Sequence, residues 1–293
     1  MNNYLAGIIE HLPDATFIVD KTGKISHWNK AIQKLTKTEK GAMIGQDYKL
    51  YSKAIYGFEK PLLINYLLEG IKLDNAHYKN LVRRKDYLKA EATIVINKQT
   101  RMFEAIAALI RDKENAILGG IETFRDITEQ KVHERKITYL SQHDSLTNLL
   151  NRMYFDKVKN TYNDKQFYPL SIIMADLNNL KQFNDHYGHQ VGDRVLIRFA
   201  GLLQGFEQAP DILVRLGGDE FVLLMPNTAK NEAKNRLASI KKALEDAKVE
   251  GIKIEAALGL AVAKEPINIE RLMKQAEDEM YLDKAKYQKE KDR

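Results

Sequence analysis

The 293-residue chain contains no cysteine. That absence excludes disulfides, thiolate metal sites, cysteine nucleophiles and light sensing through a flavin-reactive thiol. Long apolar runs are missing too: no window approaches the roughly 18 consecutive apolar residues of a membrane-spanning helix. The opening residues MNNYLAGIIEHLPDAT lack a basic stretch followed by an apolar one, so no secretory leader is read there and a cytoplasmic location is expected. Blocks of one charge are scarce. The formal net charge is +6, but Lys and Arg are interspersed with Asp and Glu, and only the tail KAKYQKEKDR from Lys284 is locally basic. Such a tail suits an anionic small molecule as well as nucleic acid, and a solvated helix end accounts for most of its lysines.

The residues that are present describe a soluble, globular chain, 44% apolar and 29% charged, long enough for two domains with separate cores. DATFIVD and KISHWN read as a hairpin turning at Gly23, followed by a helix in NKAIQKL with Asn29 as its N-cap. Helical runs such as PLLINYLLEGI come next, then strands in ATIVIN, RMFEAIAALIR and AILGGIETFRDIT, separated by the turns NKQT and DKEN. A small antiparallel sheet cupped around a pocket is expected, with Trp28 and Tyr56 as candidate lining. His27 and His77 raise the question of haem, although an isolated histidine is more often structural or exposed.

DITEQKVHERKITYLSQHD is polar and free of Gly and Pro, which predicts a helix. Ile137 and Leu140 have a/d spacing, but Gln130 and His133 fill the preceding a/d positions, so a sustained coiled-coil seam is not demonstrated. The second half starts with a helical pattern in SLTNLLNRMYFDKVKN. It then alternates: strand PLSIIMAD, helix DRVLIRFAGLLQGF, strands ILVRL and EFVLLMP, helix AKNEAKNRLASIKKALEDAK, strand IKIEAALGLAVA and a last helix from Ile269. Val195, Leu196, Phe199, Leu202 and Leu203 form one buried helix face. The order is βαββαβ, that of a ferredoxin-like sheet with its helices on one side, and the fold class is α+β.

RLGGDEFVLL places Asp219 and Glu220 at the tip of a hairpin between two buried strands. Asp176 ends the strand expected to lie beside that hairpin, so carboxylates from separate elements converge on one sheet edge. Hard oxygen donors in that arrangement suit Mg²⁺ or Mn²⁺, and a pair of such ions about 3.5–4 Å apart clamps phosphates and activates a hydroxyl.

Two family resemblances rest on these residues. LPDATFIVDKTGKISHWN from Leu12 and GGIETFRDITEQ from Gly119 resemble a PAS sensor domain, which implies a fold but no particular ligand. Gly217-Gly218-Asp219-Glu220-Phe221, HDSLTNLLNRMYF from His143, ADLNNLKQFNDHYGHQVGDRVL from Ala175, and Tyr281 with Lys284 resemble, in order, the GGDEF-domain diguanylate cyclases. The organisation expected is a PAS domain over 1–127, a signalling helix over 128–142 and a GGDEF domain over 143–293. The resemblance implies condensation of two GTP into cyclic di-GMP in a homodimer, each 3′-hydroxyl attacking the other α-phosphate. It implies Asp176, the Leu177 carbonyl and Asp219 as metal ligands, with Glu220 as a further ligand or proton acceptor. Asn184 and Asp193 would read guanine, Lys181 and Lys284 would meet the triphosphate, and Gly217 and Gly218 would let backbone approach the nucleotide.

Simpler structural readings accompany these roles. A Gly-Gly hairpin is also an ordinary turn, Asp193 is also placed as a helix N-cap, Asn184 and Asp185 as turn residues, and His186 and His189 as packing or solvent-facing groups. The family's product-inhibition motif RxxD corresponds here to Gln208-Ala209-Pro210-Asp211, without its arginine, so weak or absent product inhibition is expected. Tyr287 and Gln288 replace a usual glycine and arginine, leaving Lys286 or Lys289 as substitutes, and Asn178 replaces a common aspartate. A silent GTP or cyclic di-GMP receptor is the alternative reading. A polymerase-like activity lacks any domain to grip a template, and neither a nucleic-acid partner nor a membrane span is expected.

Overall fold

The computed structural model describes residues 3–70, 77–96 and 98–291. The chain divides into two compact units, 1–135 and 136–293.

The N-terminal unit comprises α1 (Asn3–Glu10), β1 (Ala15–Asp20), β2 (Ile25–Trp28), α2 (Lys30–Thr36), α3 (Lys40–Met43), α4 (Tyr48–Tyr56), α5 (Leu63–Glu69), β3 (Tyr78–Arg83), β4 (Tyr87–Ile96), β5 (Gln99–Arg111) and β6 (Ile117–Asp126). The strands form an antiparallel sheet in the order β2-β1-β6-β5-β4-β3. Strand β3 was not foreseen. Its residues YKNLVR do not alternate cleanly, and its ladder with β4 is irregular between Lys79 and Val82. The hairpin turn at Gly23 has φ +80, a conformation that favours glycine. Asn115 closes the DKEN turn at φ +69. The NKQT turn includes residue 97, which lies outside the described residues.

Strand periodicity puts one sheet face into the core: Leu88, Ala90, Ala92 and Ile94 of β4 are buried, while Val95 is exposed. Asn29 caps α2 as expected, its Oδ1 accepting from Ile32 N–H at 2.9 Å and also from Thr16 N–H at 3.0 Å. Trp28 is fully buried beside Phe17 and donates from Nε1 to the Thr38 carbonyl, so it is a core residue. Tyr56 and Tyr78 flank the Lys60 ammonium, whose Nζ lies 3.6 and 4.3 Å from the two ring centroids. Helix α5 begins after Leu62, which has no polar side chain for a cap. Glu122 of β6 takes that role, with Oε2 accepting from Ile64 N–H at 2.9 Å. His27 contacts Ser26 through Nδ1, and His77 is exposed beside the Phe58 ring.

Helix α6 (Thr128–Gln142) has no buried residue; Val132, Ile137 and Leu140 are all exposed.

The C-terminal unit contains β7 (Leu150–Asn151), α7 (Arg152–Val158), β8 (Leu170–Leu177), α8 (Leu180–Tyr187), α9 (His189–Gln204), β9 (Ile212–Gly217), β10 (Glu220–Met225), α10 (Lys230–Glu245), β11 (Lys248–Val249), β12 (Ile252–Lys253), β13 (Ala256–Ala263) and α11 (Ile269–Lys291). The main sheet runs β13-β8-β10-β9-β7, with β7 parallel to β9 and the other pairs antiparallel. Without β7 this is the ferredoxin-like order expected from the βαββαβ sequence. Every residue of β8 is buried because the sheet is covered on both faces. Ile173, Ala175, Phe221 and Leu223 pack against α9 and α10, the two helices of the repeat; Ile172, Met174, Val222 and Leu224 pack against α7 and α11 on the other face. The one-sided expectation therefore holds for the repeat helices, and the flanking helices complete the second layer.

Two local expectations need correction. The helical start in SLTNLLNRMYF begins only at Arg152: Asn148 has φ +62, Leu150–Asn151 pair with β9, and Asn151 caps α7 by accepting from Tyr154 N–H. Asp193 is not a helix N-cap, because α9 starts four residues earlier with Gly188 at the cap position.

Candidate active site

The site grows from one register. Strands β8 and β10 pair so that Glu220 stands directly opposite Asp176, and Leu177 N–H donates to the Asp219 carbonyl at 3.0 Å. Asp176, at the end of the most buried strand, and Glu220, at the start of β10, are brought together as expected from the order of elements. Burial pushes the Glu220 carboxyl up, and the charges of Asp176, Asp219 and Glu277 add to that. Burial likewise raises Asp176, with Asp219 contributing, while the hydrogen bond from Lys284 opposes the rise. These carboxylates repel one another and favour a cation. Among the described residues, no three carboxylate, imidazole or thiol side chains stand together as a closed metal-ligand cluster. The donor chemistry fits a hard divalent ion, but the side chains are not drawn round one point.

Lys284 of α11 is the partner Asp176 has: Nζ donates to Oδ1 at 2.6 Å. Lys181 is exposed at the start of α8. Gly217 and Gly218 have φ +150 and +51, and a Cβ on either would meet open space. Both therefore serve the turn's backbone conformation, and the space in front of them is free of protein. His186 and His189 are exposed, as is Asp185.

Asn184 packs against a glycine, Gly192, that has no assigned role in the sequence reading. A Cβ on Gly192 would lie 1.9 Å from Asn184 Oδ1, so the Asn184 side chain occupies the space Gly192 leaves open, beside the exposed Asp193. The tight α8–α9 connection through Gly188, at φ +83, makes that contact possible.

Two arginines without an assigned role also prove structural, one of them at the signature turn. Arg215 donates to the Gly218 carbonyl from Nε (3.1 Å) and Nη2 (2.6 Å), and from Nη1 to Asp144 Oδ1 at 2.9 Å. Burial alone would raise Asp144, but Thr147 and Arg215 outweigh it and hold the carboxyl below its usual range. The signature hairpin is thus tied to the HDSLT segment. Arg236 of α10 donates to Asp211 through Nη1 and to Gln208 Oε1 through Nη2 at 3.1 Å. In the last helix, Tyr287 donates to Glu255 and also contacts Asn179, while Lys286 and Lys289 are exposed. Asn178 is buried with its Oδ1 lacking a hydrogen-bond partner.

A family model described as "Diguanylate cyclase, GGDEF domain" matches residues 141–290, and one described as "PAS fold" matches 3–127. The chain belongs to the GGDEF family. Its PAS domain precedes the GGDEF domain, as the sequence blocks implied. The diguanylate cyclase DgcM of Escherichia coli K12 is 31% identical over 160 residues, covering 53% of this chain and 39% of that protein. The cyclic di-GMP phosphodiesterase PdeB of Shewanella oneidensis is 25% identical over 284 residues, 95% of this chain and 31% of that protein. The chain therefore spans less than half the length of these relatives. The coiled coil and GGDEF domain of DgcB from Caulobacter crescentus, solved with c-di-GMP, superposes with a TM-score of 0.51 at 23% identity, over 54% of this chain and 88% of that one. That likeness is one of fold. Among the described residues, no helix is long and apolar enough to cross a membrane.

Proposed function

We propose that this chain is a diguanylate cyclase, condensing two GTP into cyclic di-GMP and two pyrophosphates in a homodimer, with the PAS domain regulating it through α6. The observation that carries the proposal is the register placing Asp176 opposite Glu220, with Asp219 beside them at an open Gly-Gly turn. Asp176, the Leu177 carbonyl, Asp219 and Glu220 are the groups that would hold Mg²⁺ or Mn²⁺. When bound, such an ion polarises the α-phosphate and lowers the pKa of the attacking hydroxyl.

The chain's own residues do the rest. Asn184, packed against Gly192, and the exposed Asp193 that follows that glycine supply an amide and a carboxylate suited to reading the guanine edge. Lys181 and Lys284 supply point charges for the triphosphate. Glu220, opposite Asp176, serves as a further ligand or as the acceptor of the 3′-hydroxyl proton. Arg215 holds the turn that presents Asp219. Joining two nucleotides symmetrically needs two such sites face to face, hence the dimer.

Purified protein given GTP and Mg²⁺ is expected to produce cyclic di-GMP, and Asp219→Ala or Asp176→Asn to abolish it with folding retained. Normal product from either variant would overturn the assignment. Nucleotide binding without turnover under dimer-permitting conditions would favour a receptor.

A further inference from the structure

The Lys284–Asp176 contact joins two groups given different tasks, one for phosphate and one for metal. Asp176 has a side chain only 10% exposed, while Lys284 is 30% exposed and has a route to solvent. The base of Lys284 is fixed. One turn earlier Met280 is buried, and α11 crosses β13 so closely that a Cβ on Gly259 would lie 2.0 Å from the Ala276 carbonyl oxygen. The preceding residue, Asp283, accepts from Leu258 N–H at 3.0 Å and from Lys241 at 2.6 Å. A pinned helix thus carries a flexible four-carbon arm whose ammonium reaches the buried carboxylate.

We propose that Lys284 is a tethered cation on the metal-binding carboxylate, which it occupies until a metal–nucleotide complex arrives and then exchanges for the triphosphate. The proposal rests on the reading of Asp176 as a metal ligand. A bare divalent ion entering the site must displace the ammonium from Asp176 and leave it beside a stronger positive charge without an anion to receive it. An ion arriving with a triphosphate brings the receiving anion with it. Lys284 therefore disfavours metal alone and favours metal together with nucleotide, so that the two bind as one. The coupling is reciprocal: Lys284 makes nucleotide affinity depend on metal to the same degree.

The test is Mn²⁺ binding to the full chain, followed by loss of the free-ion electron paramagnetic resonance signal, with and without a non-hydrolysable GTP analogue. Without nucleotide, Lys284→Met is expected to bind Mn²⁺ about tenfold tighter than the parent chain, within the usual range of coupling between sites. The analogue should enhance Mn²⁺ affinity strongly in the parent chain and about tenfold less in the variant. Lys284→Gln should behave like Lys284→Met, with unchanged far-ultraviolet circular dichroism in both. Equal or weaker Mn²⁺ binding by Lys284→Met, with Asp176→Asn still weakening it, would overturn the tethered-cation role and leave the metal site standing. If Asp176→Asn has no effect on Mn²⁺ binding in the Lys284→Met background, the metal-site reading falls, and the proposal with it.

Discussion

Arg215 donates to the carbonyl oxygen of Gly218 at 2.6 Å, inside the turn that carries Asp219. The same guanidinium holds Asp144, so one side chain links the start of the GGDEF domain to the signature hairpin. Its planar fork holds both acceptors in one fixed geometry, which a point-like ammonium on a flexible stem does not reproduce. Arg215→Lys is expected to lower kcat about 100-fold while leaving the fold intact, since a misplaced reacting group costs about that much. Asp144→Ala should lower it less, because the bonds to Gly218 remain. Steady-state kinetics of both variants would decide; unchanged kcat in Arg215→Lys would remove the brace from the mechanism.

Asp211 lacks the arginine of the usual inhibitory motif but has Arg236 instead. The Arg236 and Asp211 side chains are 8% and 3% exposed, and Gln208 shares the guanidinium. An engaged carboxylate and a neutral amide leave little to hold a phosphate-bearing product, so inhibition by cyclic di-GMP is expected to be weak. Strong inhibition that vanishes in Asp211→Ala would contradict this. Arg236→Ala should cost about 3 kcal/mol of stability by leaving a buried carboxylate unpaired, measurable as a drop in the urea midpoint.

Gly192 leaves the space that Asn184 fills. Gly192→Ala puts a methyl carbon where Asn184 Oδ1 lies, and the flexible amide can swing away, so little stability is lost. The amide then leaves its place beside Asp193. KM for GTP is expected to rise about tenfold, the scale of one lost hydrogen bond, with a smaller change in kcat. An unchanged KM would separate Asn184 from guanine recognition.

Glu122 gives the PAS domain a pH dependence. Burial pushes its carboxyl up to about 8, against the pull of the Ile64 and Leu63 N–H donors and the Lys60 charge. In the folded state it therefore keeps its proton over a range in which the unfolded chain, with an ordinary carboxyl, has lost it. The folded form binds more protons between about pH 4.5 and 8, so stability falls as pH rises through that window and levels off above it. Glu122→Gln should flatten the dependence. The single tryptophan, Trp28, lies in this core and not in the GGDEF domain, so urea unfolding of the full chain followed by its fluorescence reports this unit. A pH-independent midpoint between 5 and 8 in the parent chain would refute the effect.

Alternating apolar residues and turn signals made most strands legible, and the βαββαβ order required β8 and β10 to be neighbours. Placing Asp176 beside the hairpin acids needed nothing more, because strand pairing follows from topology and the side-chain period of two fixes which residues share a face. The short β7 and the irregular β3 were not legible, since neither has enough alternation to distinguish it from loop. The start of α9 was misplaced because Gly188 at its cap position has no side chain to signal it.

The sequence by itself determined the two families, the βαββαβ order of the second half and the carboxylates at the sheet edge, all of which depend on local pattern and ladder register. Only the tertiary structure decided the long-range partners: Lys284 on Asp176, Arg236 on Asp211, Arg215 on Gly218 and Asp144, Glu122 on the N-terminus of α5, and Asn184 against Gly192. Most of these contacts depend on where a helix crosses a sheet face and how far a flexible side chain reaches from it. Neither leaves a periodic trace along the chain.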